Sequence, residues 1–230
     1  MDETPVTSDP LGKSHDLREL YARRFDGAAA YRDAVWRVLA RNFFQRYVRE
    51  DARVLDVGCG YGEFINNIRA GRKFGIDLNP TARERLSPEV ELFQQDCSSR
   101  WPLPGDSLDV VFTSNFFEHL PDKASLRATL QEAQRCLAPG GILIAMGPNI
   151  RYLSGAYWDF WDHSLCLTER SLAEGLLNIG YHVREQVPRF LPYSMTGQPH
   201  FPPALIRLYL GMRWVWPIFG RQFLVVAEKK

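Results

Sequence analysis

The sequence predicts an α/β fold built on a mostly parallel sheet with helices on both faces. Three observations lead there. An apolar run of strand type, Val54-Leu55-Asp56-Val57, enters a glycine-rich turn, Gly58-Cys59-Gly60-Tyr61-Gly62-Glu63, and a helical pattern follows over residues 64–70. Further short apolar runs alternate with stretches of helical period, as a parallel sheet covered on both sides requires. A carboxylate, Asp77, closes the second run, at the end of the sheet where such folds bind ligands.

The elements follow in order. Residues 1–14 are polar, with Pro5 and Pro10, and contain no apolar signal core; they read as a loose tail on a cytoplasmic protein. Residues 15–50 read as a helical cap. Tyr31, Val35, Leu39, Phe43 and Tyr47 recur every four residues and line one face. Arginines such as Arg18, Arg32 and Arg37 make the cap basic, either as a solvated face or, with Tyr21 or Phe25, as a border of the ligand cleft.

The glycine turn carries the first chemistry. Gly58 and Gly60 can take backbone angles closed to other residues and let a ligand lie against the main chain. Gly62 lets the next helix approach the strand, and the free N–H groups at that helix start favour an anionic group. A dinucleotide loop reads G-x-G-x-x-G. Here the spacing is G-x-G-x-G, and Glu63 stands where the third dinucleotide glycine belongs. An acid there repels a pyrophosphate and suits a cation such as an α-ammonium group. Asp77, after the second strand, can accept both hydroxyls of a ribose. With these residues the chain resembles the Rossmann-like class of S-adenosylmethionine-dependent methyltransferases.

Later motifs extend the resemblance in the same order. Val90-Glu91-Leu92-Phe93-Gln94 reads as a third strand, followed by Gln95-Asp96-Cys97, where the family places an acid that receives the adenine amino group. The segment from Leu103-Pro104-Gly105-Asp106 to Phe112 matches the loop into strand four, and Asn115-Phe116-Phe117-Glu118-His119-Leu120 the segment after it. Leu137-Ala138-Pro139-Gly140-Gly141 matches the turn into strand five. The resemblance covers residues 50–187 and a last strand. It implies a Rossmann-like, seven-stranded, mostly parallel sheet over residues 51–230, with S-adenosylmethionine as cofactor. The cofactor residues it implies are Asp56, Gly58, Cys59, Gly60, Gly62, Asp77, Leu78, Asp96, Cys97 and Asn115.

Leu126, Leu130, Ala133 and Leu137 form the buried stripe of the helix after strand four. Thr168 is an N-cap for a helix through Leu172, Leu176 and Ile179 that ends at Gly180. Residues 181–187 read as strand six. Residues 223–227 read as the last strand, which the family inserts antiparallel beside the sixth. Two segments exceed a minimal domain. Residues 149–167 are rich in aromatics, including Tyr157, Trp158 and Trp161. Residues 188–220 form an insertion between strands six and seven with Pro188, Pro192, Pro199, Pro202, Pro203, Pro217, Gly197 and Gly211. Within it, residues 203–219 are strongly apolar but broken by Arg207 and Arg213. They roof the acceptor pocket, make a subunit contact or rest on a membrane surface.

Bulk properties narrow the function. The formal net charge of +1 over 230 residues gives no bias toward nucleic acid. Asn115-Phe116-Phe117-Glu118 also lacks the Pro-Pro-aromatic pattern of amino-directed DNA methylases. Cys59, Cys97, Cys136 and Cys166 show no paired spacing, and no Cys/His spacing indicates a metal. The candidate bases are His163, His119 and Glu118. His163, in Trp161-Asp162-His163, is either an acceptor-site residue oriented by Asp162 or a nearby carboxylate, or part of packed core. His119 is structural or catalytic. Asp106 and Asp109 read as loop-closing residues. The expected function is methyl transfer, O-methylation above all, to a small-molecule or saccharide acceptor. Residues 149–181 also resemble methyltransferases of cell-surface glycan and lipid-linked saccharide pathways, which carry an Asp-His pair before a Leu-Thr helix start. Methylation of a quinone or isoprenoid lipid ring, or a non-catalytic binding module, are the alternatives.

Overall fold

The computed structural model describes residues 29–193 and 200–230. The expected tail, the first part of the cap with Arg18, Tyr21 and Phe25, and Gly197 and Pro199 lie outside the described residues. Seven strands form one sheet: β1 (Arg53–Val57), β2 (Arg72–Ile76), β3 (Val90–Phe93), β4 (Leu108–Ser114), β5 (Leu137–Pro148), β6 (Tyr181–Val187) and β7 (Gln222–Lys229). Their order is β3-β2-β1-β4-β5-β7-β6. Neighbours are parallel except that β7 runs antiparallel to both β5 and β6. The order reverses between β1 and β4, so the loops leaving these two strands open a crevice at the topological switch point.

The central strands are apolar on both faces, as strands between two helical layers must be. Val54, Val110 and Phe112 join one core, and Leu55, Val57 and Val111 the other. The first core is covered by the cap helix α1 (Ala29–Asn42), whose Leu39 is buried, and by Phe43 and Phe44 just after it. Phe64 stacks on Phe112 with ring centroids 3.6 Å apart. The second core takes Leu126, Leu130 and Ala133 of α3 (Lys123–Cys136) and Leu172 and Leu176 of α5 (Glu169–Ile179). A short α2 (Ala82–Arg85) precedes β3, and a short α4 (Ile150–Leu153) follows β5.

Local chemistry sets the helix ends. The Asp122 side chain accepts from Ser125 N–H at 2.7 Å and caps α3. Thr168 and Ser171 form a reciprocal capping box on α5, and Gly180 closes that helix with φ 103°. At the far end of the sheet from the crevice, Asp109 accepts from the Arg53 backbone N–H and guanidinium and ties β1 to β4. Asp106 sits in the turn before β4 at φ 57° and pairs with Lys229. Asp106 lies in the turn expected before strand four, whereas Asp109 stands within β4 itself.

One predicted element differs. Residues 64–67 form turns and residues 68–70 no helix, with mixed bonds from Asn66 N to Gly62 O and from Asn67 N to Phe64 O. Asn66 and Asn67 explain the break. Their side-chain amides bond the carbonyls of Arg85 and Glu63, so they compete with the backbone ladder. Gly62 (φ 81°) accordingly makes room for Leu86, not for a helix axis; a Cβ there would meet Leu86 Cδ2 at 2.5 Å.

The segment between β6 and β7 folds into α6 (Pro203–Gly211), a 3₁₀ turn and α7 (Trp216–Phe219). Its inner side packs on the cap: Ile206, Tyr209 and Leu210 join the first core, and Tyr209 O–H donates to Phe190 O at 2.6 Å. Trp216 is buried against Phe43 and Phe190. Its outer side leaves Leu205, Leu208, Trp214, Ile218 and Phe219 exposed. The apolar stretch is therefore part core and part surface. Among the described residues no helix is long and apolar enough to cross a membrane.

Candidate active site

The glycine loop leaves β1 with three successive left-handed glycines, at φ 69° (Gly58), 52° (Gly60) and 81° (Gly62). Gly58 matters most for packing. A Cβ on it would lie 2.2 Å from the ring of Phe116, which comes from the segment after β4. The loop is held by Gly58 N–H and Cys59 N–H, both donating to Ile76 O on β2. The Cys59 side chain turns into the first core against Gly75, where a Cβ would meet its sulfur at 2.8 Å. That thiol is filler, and burial pushes its pKa well up.

Acids surround the loop. Asp77 is buried; its two oxygens accept from Gly60 N–H at 2.6 Å and Asn79 N–H at 2.7 Å. Asp56 is buried in β1, and burial, with the charges of Glu63 and Asp77, holds its carboxyl well above the usual range. Burial likewise raises Asp77, against the pull of the Asn79 and Gly60 amides. Three carboxyls around one loop make a site that attracts positive charge. Glu63 also meets Arg32 of α1 at 2.5 Å, so the nearest cation to this acid belongs to the cap. Arg32 thus borders the crevice, a placement that its position in a basic, helix-periodic run does not single out.

The other residues expected to hold the cofactor take distinct places. Leu78 is 47% exposed beside Asp77, an apolar face for a flat ring. Asp96 is exposed after β3 and accepts from the Ser98 N–H and O–H at 2.8 and 2.7 Å. Cys97 points into the second core and meets Thr129 Oγ1 at 3.3 Å; burial pushes its thiol to about 12, so only its backbone faces the loop side. Asn115 follows β4 at φ 47°. Its Oδ1, and Nδ2 of Asn79 after β2, are buried without a hydrogen-bond partner among the described residues. The acid-rich loop, the exposed Leu78 and these two orphaned amide atoms fit a cofactor with a cationic end, a ribose and a base.

The candidate bases gather one turn beyond Phe116. A 3₁₀ turn, Phe117–His119, carries Glu118 and His119. The loop after the 3₁₀ turn Ser154–Asp159 carries His163. One ligand-type atom from each of Glu118, His119 and His163 lies within 4.8 Å of the others, a grouping that linear spacing does not reveal. Glu118 and His163 are buried. Burial lifts the Glu118 carboxyl to about 7. Burial acts to lower the His119 pKa, but the Asp162 hydrogen bond and the Glu118 and Asp162 charges outweigh it, and the ring is raised.

The sequence leaves the group that orients His163 as Asp162 or a nearby carboxylate, and Glu118 lies near its ring. Asp162 turns to His119, with Oδ2 3.0 Å from Nδ1. His163 Nδ1 donates to the Tyr157 carbonyl at 2.9 Å. The aromatic segment is divided as well. Tyr157 is fully buried and donates to Leu165 O at 2.6 Å, whereas Trp161 is 97% exposed and Trp158 is also exposed. Asn149, buried at the end of β5, donates to Glu169 and to Pro188 O and fixes the start of α5 against the insertion. A separate groove of about 480 Å³, lined by Tyr152, Arg189, Arg213 and Trp216, contains none of the cofactor or base residues.

The strand order, the G-x-G-x-G loop after β1 and the carboxylate after β2 are those of the Rossmann-like methyltransferase fold. The chain belongs to the methyltransferase domain family, whose sequence pattern matches residues 22–186. It is 34% identical over 119 residues to trans-aconitate 2-methyltransferase of Azoarcus sp., covering 48% of this chain and 45% of that one. It is 25% identical over 226 residues to demethylmenaquinone methyltransferase of Symbiobacterium thermophilum, covering 85% of each. It spans between 27% and 59% of the length of three of the curated relatives it matches. A SAM dependent methyltransferase from Archaeoglobus fulgidus shares the fold, with TM-score 0.66, 21% identity and coverage of 92% of this chain and 99% of that one.

Proposed function

We propose that this methyltransferase moves the methyl group of S-adenosylmethionine to an oxygen of a small-molecule or saccharide acceptor. The observation that carries the reading is the cluster of Glu118, His119 and His163, one short turn from the Phe116 ring that seats on Gly58. The cofactor supplies a methyl group already activated by its sulfonium charge. The acid-rich loop holds the cationic end, Asp77 the ribose, Leu78 the base and Asp96 its amino group, with Asn115 closing the crevice beside the methyl. The acceptor hydroxyl lies toward the cluster. Its oxygen forms the new O–CH₃ bond as the S–CH₃ bond breaks, and its proton passes to the cluster, through His163 in the first instance. The exposed faces of Trp158 and Trp161, on the segment that carries His163, suit stacking on a sugar or other ring.

Incubation with labelled S-adenosylmethionine and a panel of sugars, nucleotide sugars, polyphenols and quinones tests this. Label should enter a hydroxylated acceptor, and His163→Ala should cut transfer by roughly 10²-fold at unchanged cofactor affinity. Label found only on carbon, or transfer indifferent to His163→Ala, would retire the reading.

A second reading is methylation of a quinone or isoprenoid lipid ring by an enzyme resting on the membrane surface. The exposed Leu205, Leu208, Trp214, Ile218 and Phe219 favour it, as does the likeness to a demethylmenaquinone methyltransferase. The free thiols Cys59, Cys97, Cys136 and Cys166 fit a reducing, cytoplasmic setting under either reading.

A further inference from the structure

We propose that Glu118, His119 and His163 bind one divalent transition-metal ion of the zinc type, through the carboxylate and the two imidazoles. Two imidazoles and a carboxylate are a recurrent donor set for such ions, and three protein ligands leave a coordination position for a substrate oxygen. The donor atoms lie within 4.8 Å of one another. Bonds of about 2.0–2.2 Å in tetrahedral geometry place ligands roughly 3.5 Å apart, so closure takes a shift of about 1 Å, within reach of side-chain rotation.

The surroundings carry the inference further than the distance alone. In metal sites a ligating histidine gives its other ring N–H to a carboxylate or a backbone carbonyl, which fixes the tautomer and aims the ring. Both histidines here have that arrangement. His119 Nδ1 donates to Asp162 Oδ2 at 3.0 Å, and His163 Nδ1 donates to the Tyr157 carbonyl at 2.9 Å. The Nε2 atom of each ring would then be the one that ligates the ion. The two supports are themselves fixed. Tyr157 is anchored by its hydroxyl to Leu165 O, and Phe160 stacks on the His163 ring at 4.8 Å. Ser164 and Leu165 N–H groups donate to the Glu118 carbonyl at 2.8 and 3.1 Å, which locks the His163 loop onto the turn bearing the other two ligands. The rings of His119 and His163 lie 5.0 Å apart and meet edge to face. A buried carboxylate facing two pre-aimed imidazoles is poorly compensated by protein alone, and a dication compensates it.

The ion's role rests on the reading above and changes one part of it: with Nδ1 on the Tyr157 carbonyl and Nε2 on the ion, His163 would take no proton, and an acceptor hydroxyl at the open position, its pKa lowered by the ion, would release its proton to water. The ion's presence does not depend on that reading, so the test uses metal alone.

Full-length protein, stripped with chelator and dialysed, is titrated with Co²⁺ and followed by visible absorption, then back-titrated with Zn²⁺. One equivalent of Co²⁺ should develop the d–d bands of a four- or five-coordinate site, and Zn²⁺ should bleach them. Glu118→Gln and His163→Gln should abolish the bands, and Asp162→Asn should weaken binding by roughly 10–100-fold through His119. His182→Gln, remote on β6, serves as the control and should change nothing. Circular dichroism and S-adenosylmethionine affinity report whether each variant is folded. Absence of the bands in the wild type, or bands that survive both Glu118→Gln and His163→Gln in folded protein, would overturn the proposal. If a variant does not fold, zinc-dependent elevation of the wild-type melting temperature decides: no elevation counts against the site. Cobalt binding without methyl transfer to any acceptor would refute the proposed function and leave the metal site standing.

Discussion

Asp162 is bonded to His119, 43 positions earlier in the chain. The pairing joins the turn after β4 to the aromatic loop after β5 and orients the His119 ring. It also makes the site sensitive to pH.

The His119 pKa is raised in the folded protein, so its contribution to stability is fully present below the unfolded value of 6.5 and is lost as pH rises through the folded value. Asp162→Asn removes the hydrogen bond and the charge that raise it. The variant should therefore lose more stability at pH 5.5–6 than above pH 8, as read by urea unfolding across this range. NMR titration should show the His119 pKa falling. An equal loss at both ends of the range would dissociate His119 from Asp162.

Glu118 titrates at about 7 because its ionised form is buried. Its folded pKa lies above its unfolded one, so the carboxyl favours folding below the unfolded value and loses that contribution as pH rises through about 7. In metal-free protein, Glu118→Gln should gain stability relative to wild type as pH passes from 6 to 8. Parallel melting curves for the two proteins across this interval would show that Glu118 is not held in a dry environment.

Asp77→Ala should weaken S-adenosylmethionine and its demethylated product alike by roughly 1–3 kcal/mol, since acceptor bonds to the ribose are lost. The same carboxylate receives the amides of Gly60 and Asn79, so the melting temperature should fall too. Isothermal calorimetry on folded variant protein checks the affinity. Unchanged heats would remove Asp77 from the cofactor site.

Gly58→Ala should destabilise by two routes. An L residue at φ 69° costs roughly 1–2 kcal/mol, and the added Cβ meets the Phe116 ring at 2.2 Å, overpacking worth about 1–3 kcal/mol more. Adding Phe116→Ala should recover the second part only. Stability measured over this double-mutant cycle gives the coupling directly; a coupling near zero would mean that Phe116 moves away freely.

If α6, α7 and the turn between them rest on a membrane surface, flotation with anionic liposomes should carry the protein upward. Trp214→Glu with Phe219→Glu should release it without altering cofactor binding, because both side chains point outward. Trp216 is unsuitable for this purpose: it is buried, and its indole N–H donates to Tyr209 O at 3.0 Å. Failure of the wild type to float would leave the exposed face to a protein contact.

The sequence alone carries the frame of this protein. The strand and helix periods, the glycine spacing, Asp77, the Thr168 cap and the Gly180 stop are local signals, each tied to backbone conformation within a few residues. They specify the doubly covered sheet and the cofactor class because a βαβ unit is built from neighbouring segments. Even there, Asn66 and Asn67 broke the helix expected after the glycine loop by bonding nearby carbonyls. Tertiary structure alone decided which distant side chains meet. The pairing of Arg32 with Glu63, the contact of Phe116 with Gly58, the partner of Asp162 and the approach of Glu118 and His119 to His163 all cross more than thirty residues of chain. No periodicity encodes such meetings. They follow from the crossover connections that bring the ends of β1, β4 and β5 to one rim, and from burial, which selects the side chain that turns inward.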